Sequence, residues 1–171
     1  MASTGRLIPL AAGDSVENMS IDQALLESTS QIQVPTLRFY RWSHPSLSLG
    51  YFQKFAARDS HAESMGIDWV RRSTGGGAIV HHHELTYSLF LPANRSLGHH
   101  RDLYAQVHDE VAASLRDFGV TAVPYRMLSR SLPASAAEPF LCFQRRTEED
   151  LIVSGYKILG SAQRKVRRSE E

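Results

Sequence analysis

A chain of 171 residues with 19 lysines and arginines against 18 aspartates and glutamates is sized for one domain, and its formal net charge of +1 leaves no global nucleic-acid or membrane-surface signature. The first residues hold only a short apolar patch and no later stretch approaches a membrane span, so a cytoplasmic protein that binds neither membrane nor nucleic acid is expected. Cys142 is the only cysteine, which excludes an internal disulfide and a thiolate metal cluster and leaves either a small buried hydrophobe or a nucleophile.

In chain order, Asp14 and Ser15 can cap a helix running through E-N-M-S-I-D-Q-A-L-L-E-S, with Met19, Ala24, Leu25 and Leu26 available to a core. T-L-R-F-Y-R-W (36–42) reads as a strand with two useful faces, Leu37, Phe39 and Arg41 against Arg38, Tyr40 and Trp42. After His44-Pro45, S-L-S-L-G-Y-F (46–52) reads as a second strand with Leu47, Leu49 and Tyr51 on one side. The polar segment that follows is helix-tolerant, with Gly66 as its stop. I-D-W-V-R-R then leads as a strand into a glycine run, and the strands after it, Ala78 to Val80 and Leu85 to Leu91, are expected to extend one sheet. Leu103, Val107, Val111, Leu115 and Phe118 recur at helical steps behind Asp102 as a cap, with Gly119 as terminator. T-A-V-P-Y is a short strand, and 129–139 reads as an irregular loop ahead of F-L-C-F. The last ordered signal is D-L-I-V-S-G-Y-K-I-L, a hairpin about Ser154-Gly155 that places Lys157, Leu159 and Ser161 on one face. Helices and strands without regular βαβ alternation point to an α+β domain, a mixed β-sheet flanked by helices, occupying 1–171 as a single unit.

The stretch R-R-S-T-G-G-G-A-I-V-H (71–81) carries the chemistry. Three consecutive glycines, Gly75, Gly76 and Gly77, between strands allow a loop whose amides meet a ligand, and Arg71 and Arg72 bring charge suited to phosphate or carboxylate. The run is neither a P-loop nor a dinucleotide fingerprint, and a tight hairpin with two solvated arginines is the competing reading.

Together, R-R-S-T-G-G-G-A-I-V-H, E-L-T-Y-S and G-Y-K-I-L-G-S-A-Q-R, preceded by N-M-S-I-D-Q-A-L-L and T-L-R-F-Y-R-W...S-L-S-L-G-Y-F-Q, resemble the successive signatures of the lipoate-protein ligase and octanoyltransferase family, which shares its catalytic fold with biotin-protein ligases. F-L-C-F ahead of the hairpin resembles the octanoyltransferase branch that uses a cysteine nucleophile. The resemblance implies octanoyl (or lipoyl) transfer from acyl carrier protein, through a thioester on Cys142, to a lysine of a lipoyl domain in 2-oxoacid dehydrogenase complexes or of the glycine cleavage H protein. It assigns substrate binding to Arg72, Thr74, Gly75, Gly76, Gly77, His81, Gly160, Ser161 and Ala162. Lys157, one residue past the turn with its amine free to reach the ligand, is expected to contact the acyl carbonyl. One cysteine serves both half reactions, a neighbouring ammonium favours its thiolate, and the ammonium or loop amides stabilise the oxyanion. No cofactor is required for that transfer. The alternatives are an ATP- and Mg-dependent lipoate-protein ligase, with Cys142 merely packed, and a non-catalytic homologue that binds an acyl group, nucleotide or carrier.

Two departures from the pattern are present. His82 stands where many relatives carry aspartate, and since His81 and His83 would share a strand face that His82 leaves, no metal site is expected from the run. Relatives also continue past S-A-Q-R, so the domain is expected to be shortened, with its edge recruiting a partner or self-associating. Arg164, Lys165, Arg167 and Arg168 could then meet an acidic carrier or lipoyl domain, or form a solvated tail.

Overall fold

A computed structural model describes residues 4–92, 100–128 and 139–165. The chain divides into two compact units, Met1–Ser96 and Leu97–Glu171. The first unit opens with β1 (Arg6–Gly13), then α1 (Ser15–Ile32), β2 (Thr36–Trp42) and β3 (Ser46–Leu49), and closes with β4 (Asp68–Arg71), β5 (Ile79–His81) and β6 (Thr86–Phe90). β2 lies between parallel β1 and antiparallel β6, while β3 lies between parallel β4 and antiparallel β5. The two strands after the glycine run therefore do not extend one sheet: β5 joins β4 on either side of β3, and β6 joins the other mixed sheet. A bend at His82 and His83 separates the two strands and allows the change.

Asp14 caps α1 as its position predicts, accepting the Glu17 amide at 2.8 Å. The face that α1 buries is polar rather than apolar. Asn18 and Thr29 are buried, Met19, Leu25 and Leu26 are half-buried, and Ala24 is exposed. Asn18 Nδ2 donates to the carbonyls of Gly13 and Arg41 at 3.0 and 3.1 Å, tying α1 to the end of β1 and to β2. On β2 the inward face is Thr36, Arg38, Tyr40 and Trp42. A buried guanidinium needs partners on several sides, and Arg38 donates to Asp22 at 2.6 Å and to the Asn18 backbone and side-chain oxygens at 3.1 and 2.7 Å. The Tyr40 and Ser88 hydroxyls donate to the second Asp22 oxygen at 3.0 and 2.6 Å. Burial, then the Asp22 charge, hold the Tyr40 phenol well above its ordinary range.

β1 was not evident from sequence because Pro9 interrupts it. The strand stands at a sheet edge, where its register slips between Ile8 and Ala11, a position that tolerates a residue without an amide hydrogen. β3 ends at Leu49, earlier than expected, and Tyr51 is exposed. The helix-tolerant segment forms two short 3-10 turns, Phe55–Ser60 and Ala62–Ser64, ahead of Gly66.

The second unit comprises α2 (His100–Asp117), β7 (Val123–Pro124), β8 (Leu151–Val153) and β9 (Tyr156–Leu159), the strands forming an antiparallel sheet in the order β7-β8-β9. α2 begins before Asp102, whose side chain lies outside those described, and it ends ahead of Gly119, which adopts φ 76°. Phe118 lies past the helix and is 84% exposed, so the apolar stripe stops at Leu115. Ala112, Ala122 and Leu151 form the core with Val111, Leu115, Val153 and Leu159 against them. Ser154 and Gly155 turn the hairpin with φ of 50° and 85°, the paired positive angles of a type I′ turn. Most of the loop expected at 129–139, and Arg167 and Arg168, lie outside the described residues. No described helix is long and apolar enough to cross a membrane.

Candidate active site

Each unit holds one group of the residues singled out from sequence. In the first, β4 delivers Arg72 beneath the glycine run and the chain crosses tightly over Gly50. A Cβ on Gly50 would stand 2.0 Å from the Gly76 carbonyl oxygen, so only glycine permits this approach, and Gly76 itself has φ 90°. Tyr51 N donates to the Thr74 carbonyl at 2.9 Å, pinning the start of the loop. Arg72 is buried, and its Nη2 donates to the carbonyls of Gly75 and Gly77 at 3.1 and 2.9 Å while Nη1 donates to the Ser48 carbonyl at 2.8 Å. In a trans peptide the N–H opposes the C=O. Turning those two glycine carbonyls toward Arg72 therefore aims the amides of Gly76 and Ala78 to the opposite side, with Gly76 exposed. Arg71 grips the other flank, one nitrogen reaching the carbonyls of Gly50, Tyr51 and Gln53 at 2.9, 3.2 and 2.7 Å. Neither arginine is a solvated turn residue.

His81 is linked to the same support. Arg72 Nη1 also donates to Ser48 Oγ at 2.6 Å, so the serine's single hydrogen is left for His81 Nε2 at 2.5 Å, and His81 Nδ1 carries the hydrogen bonded to Glu84. Burial lowers the His81 pKa, keeping the ring neutral between Glu84 and Ser48, and Trp42 stacks on it at 3.7 Å. Burial alone would raise Glu84, but the hydrogen bonds from His81 and the His82 amide outweigh it and hold the carboxylate below its ordinary range. The order Glu84, His81, Ser48 matches that of a hydrolase triad. Ser48 is fully buried and its oxygen takes an Arg72 hydrogen, so the chain of contacts braces the loop and presents no nucleophile. A carboxylate, that of Glu84, thus stands next to His81. β5 ends at His81, and His82 and His83 stack on one another at 3.5 Å, so His81 and His83 do not share a strand face. No cluster of His, Cys, Asp and Glu suited to a metal occurs among the described residues.

In the second unit, Cys142 opens a 3-10 turn, Cys142–Gln144, and is half-buried. Lys157 points inward from β9, but its amine is not free as the hairpin position led us to expect. Nζ pairs with Asp150 Oδ2 at 2.8 Å, both side chains only 3% exposed, because a buried ammonium requires a counter-charge. Longer contacts of 3.4 Å run from Nζ to the carbonyls of Cys142 and Arg145, so the pair underlies the backbone of the cysteine turn. The Thr147 amide also donates to Asp150, at 2.7 Å. Gly160 leaves the room that this needs: a Cβ there would come within 2.5 Å of Lys157 Cε. Ser161 meets His108 of α2, Oγ to Nε2 at 2.7 Å, while Ala162 is exposed on the segment beyond.

Ser48, Glu84, His108 and Asp150 were missed in the sequence. His108 left a signal, three residues before Val111 and four before Ala112 on the inward face of α2, and Glu84 opens the E-L-T-Y-S motif three residues after His81. Ser48 acts through pairing with Arg72 and His81 that no local pattern records.

A solved lipoate-protein ligase A bound with ATP matches at TM-score 0.67 and 27% identity over 94% of this chain and 62% of that one, so the α+β architecture is that of a lipoate-protein ligase catalytic domain. The chain belongs to the lipoyl protein ligase A/B catalytic domain family, whose profile matches residues 14–169. Among curated relatives, octanoyltransferase LipM of Carboxydothermus hydrogenoformans is 36% identical over 98% of this chain, and that of Moorella thermoacetica 38% over 95%. The chain spans 61% and 60% of the length of those two relatives.

Proposed function

We propose that the chain carries the acyl-handling residues of an octanoyltransferase, moving octanoyl from acyl carrier protein through Cys142 to a lipoyl-domain lysine in the cytoplasm. The observation that carries this reading is the buried Lys157–Asp150 pair set under the turn of the only cysteine, at 3.4 Å from the Cys142 carbonyl. A cation at that place favours negative charge developing on an acyl oxygen bound at the turn. Cys142 Sγ attacks the acyl thioester, forming one C–S bond as the carrier's thiolate leaves. A lysine amine then attacks the new thioester, loses a proton, and expels the cysteine thiolate as an amide forms. Thioester exchange is nearly neutral and amide formation downhill, so neither ATP nor Mg enters. Gly75, Gly76 and Gly77, held by Arg72 with Gly76 exposed, suit the acyl group or its activated head. Acceptors of this reaction are the lipoyl domains of 2-oxoacid dehydrogenase complexes and the glycine cleavage H protein.

Intact-protein mass after incubation with octanoyl carrier protein, without ATP, tests the reading. One octanoyl adduct is expected on the parent, removed by neutral hydroxylamine and absent from Cys142→Ala. ATP-dependent lipoylation by Cys142→Ala would instead make the protein a ligase, the activity class of the ATP-bound structural relative.

A further inference from the structure

His108 is the buried ionisable side chain of α2 among the described residues, 2% exposed, and both of its ring nitrogens are engaged. Nδ1 lies 2.6 Å from the Glu149 carbonyl oxygen. A carbonyl only accepts, so Nδ1 carries hydrogen. Burial lowers the pKa of the ring, which leaves Nε2 bare to accept the Ser161 hydroxyl. Glu149 precedes Asp150 and Ser161 follows Gly160, and these inner neighbours enclose the Lys157 amine. One imidazole on α2 thus clamps both chain segments that cradle the ion pair. We infer that His108 is a positioning residue for acyl transfer, holding Ser161 through an unprotonated Nε2 and Glu149 through Nδ1, and so fixing where Lys157 stands beneath the Cys142 turn. This rests on the transferase reading. Asp109, Asp150, Arg126 and Lys157 are the other charged groups acting on the ring, and their opposed signs leave burial to decide its neutral state.

The test has two arms. Long-range proton–nitrogen NMR of the full chain at neutral pH should show His108 as the Nδ1–H tautomer, and Ser161→Ala should shift its Nε2 signal. In single-turnover octanoyl transfer, His108→Leu and Ser161→Ala should each slow the reaction about ten- to a hundredfold, as lost supporting hydrogen bonds do. The double variant should be no slower than the worse single one, because the two act as a unit. His108→Gln, which keeps a donor and an acceptor, should recover part of the rate and guards against a variant that merely fails to fold. An Nε2–H tautomer, additive losses, or a full rate in His108→Leu would overturn the inference. Should the parent transfer nothing, the transferase reading fails, and the tautomer with its response to Ser161→Ala decides the clamp by itself.

Discussion

Arg72 in the first unit and Lys157 in the second both lie under a loop and contact its backbone carbonyls, yet they are built differently. Arg72 spreads a planar fork over Ser48, Gly75 and Gly77, and its hydrogen bonds there range from 2.6 to 3.1 Å. Lys157 is a compact charge paired at 2.8 Å with one carboxylate and touching the carbonyls above it at 3.4 Å. The fork sets peptide orientation, which an amide-lined loop needs. The point charge, matched by one carboxylate, sits against the backbone of the turn that Cys142 opens.

The largest break in that comparison is expected from Lys157→Met, which strands the Asp150 carboxylate in the interior. Stability should fall by about 3–5 kcal/mol, and adding Asp150→Asn should return much of it, because removing both charges removes the unpaired one. Urea denaturation of the single and double variants measures this. A single variant as stable as the parent would mean that the pair is solvated. Next come two glycines under the respective loops. Gly50→Ala drives a methyl into the Gly76 carbonyl and should cost about 2–4 kcal/mol, since backbone has to move. Gly160→Ala meets the far end of a lysine side chain, which can shift, so a smaller loss of about 1–2 kcal/mol is expected with a clear drop in transfer. Melting curves that rank Gly160→Ala as the more damaging would reverse the contrast between rigid fork and movable charge.

The smallest effect is in the pH dependence. Burial lowers the folded-state pKa of both His81, which faces Glu84 and Arg72, and His108, which faces Asp109, Asp150, Arg126 and Lys157. Below about pH 6.5 the unfolded chain takes up protons that the folded chain refuses, so stability should decline from that point toward the lower folded values. Glu84 acts in a separate window, its depressed pKa adding stability above about pH 4.3 that is lost further into acid. Thermal melts from pH 8 to 5 should therefore show a decline that His108→Gln reduces. A flat profile in the parent would show that both rings accept protons as readily folded as unfolded.

The parts legible from sequence are those whose cause is local. Asp14 as a cap, Gly119 as a terminator and the Ser154-Gly155 turn each follow from the residues at hand, and the glycine run marks its loop without help. What escaped depends on partners that the local pattern does not mark. Arg38 and Asn18 read as one strand residue and one helix residue, and only their meeting makes the interior of the first unit polar. Lys157 read as a free amine because Asp150, seven positions earlier, gives no periodic sign of turning inward. The separation of β5 and β6 into different sheets follows from the bend at His82 and His83, which a strand pattern across H-H-H-E conceals.

The turn at Ser154 and Gly155 also sets a clock. A tight hairpin closes on a timescale of about 1–10 µs, so β8 and β9 can align Lys157 with Ile152 before distant segments have met. The first unit has no such shortcut, since β2 must find β6 across the register Thr36 to Phe90 and close a loop of that span. The lysine's strand is thus in place early, and the β1-β2-β6 sheet of the first unit waits on a slower search.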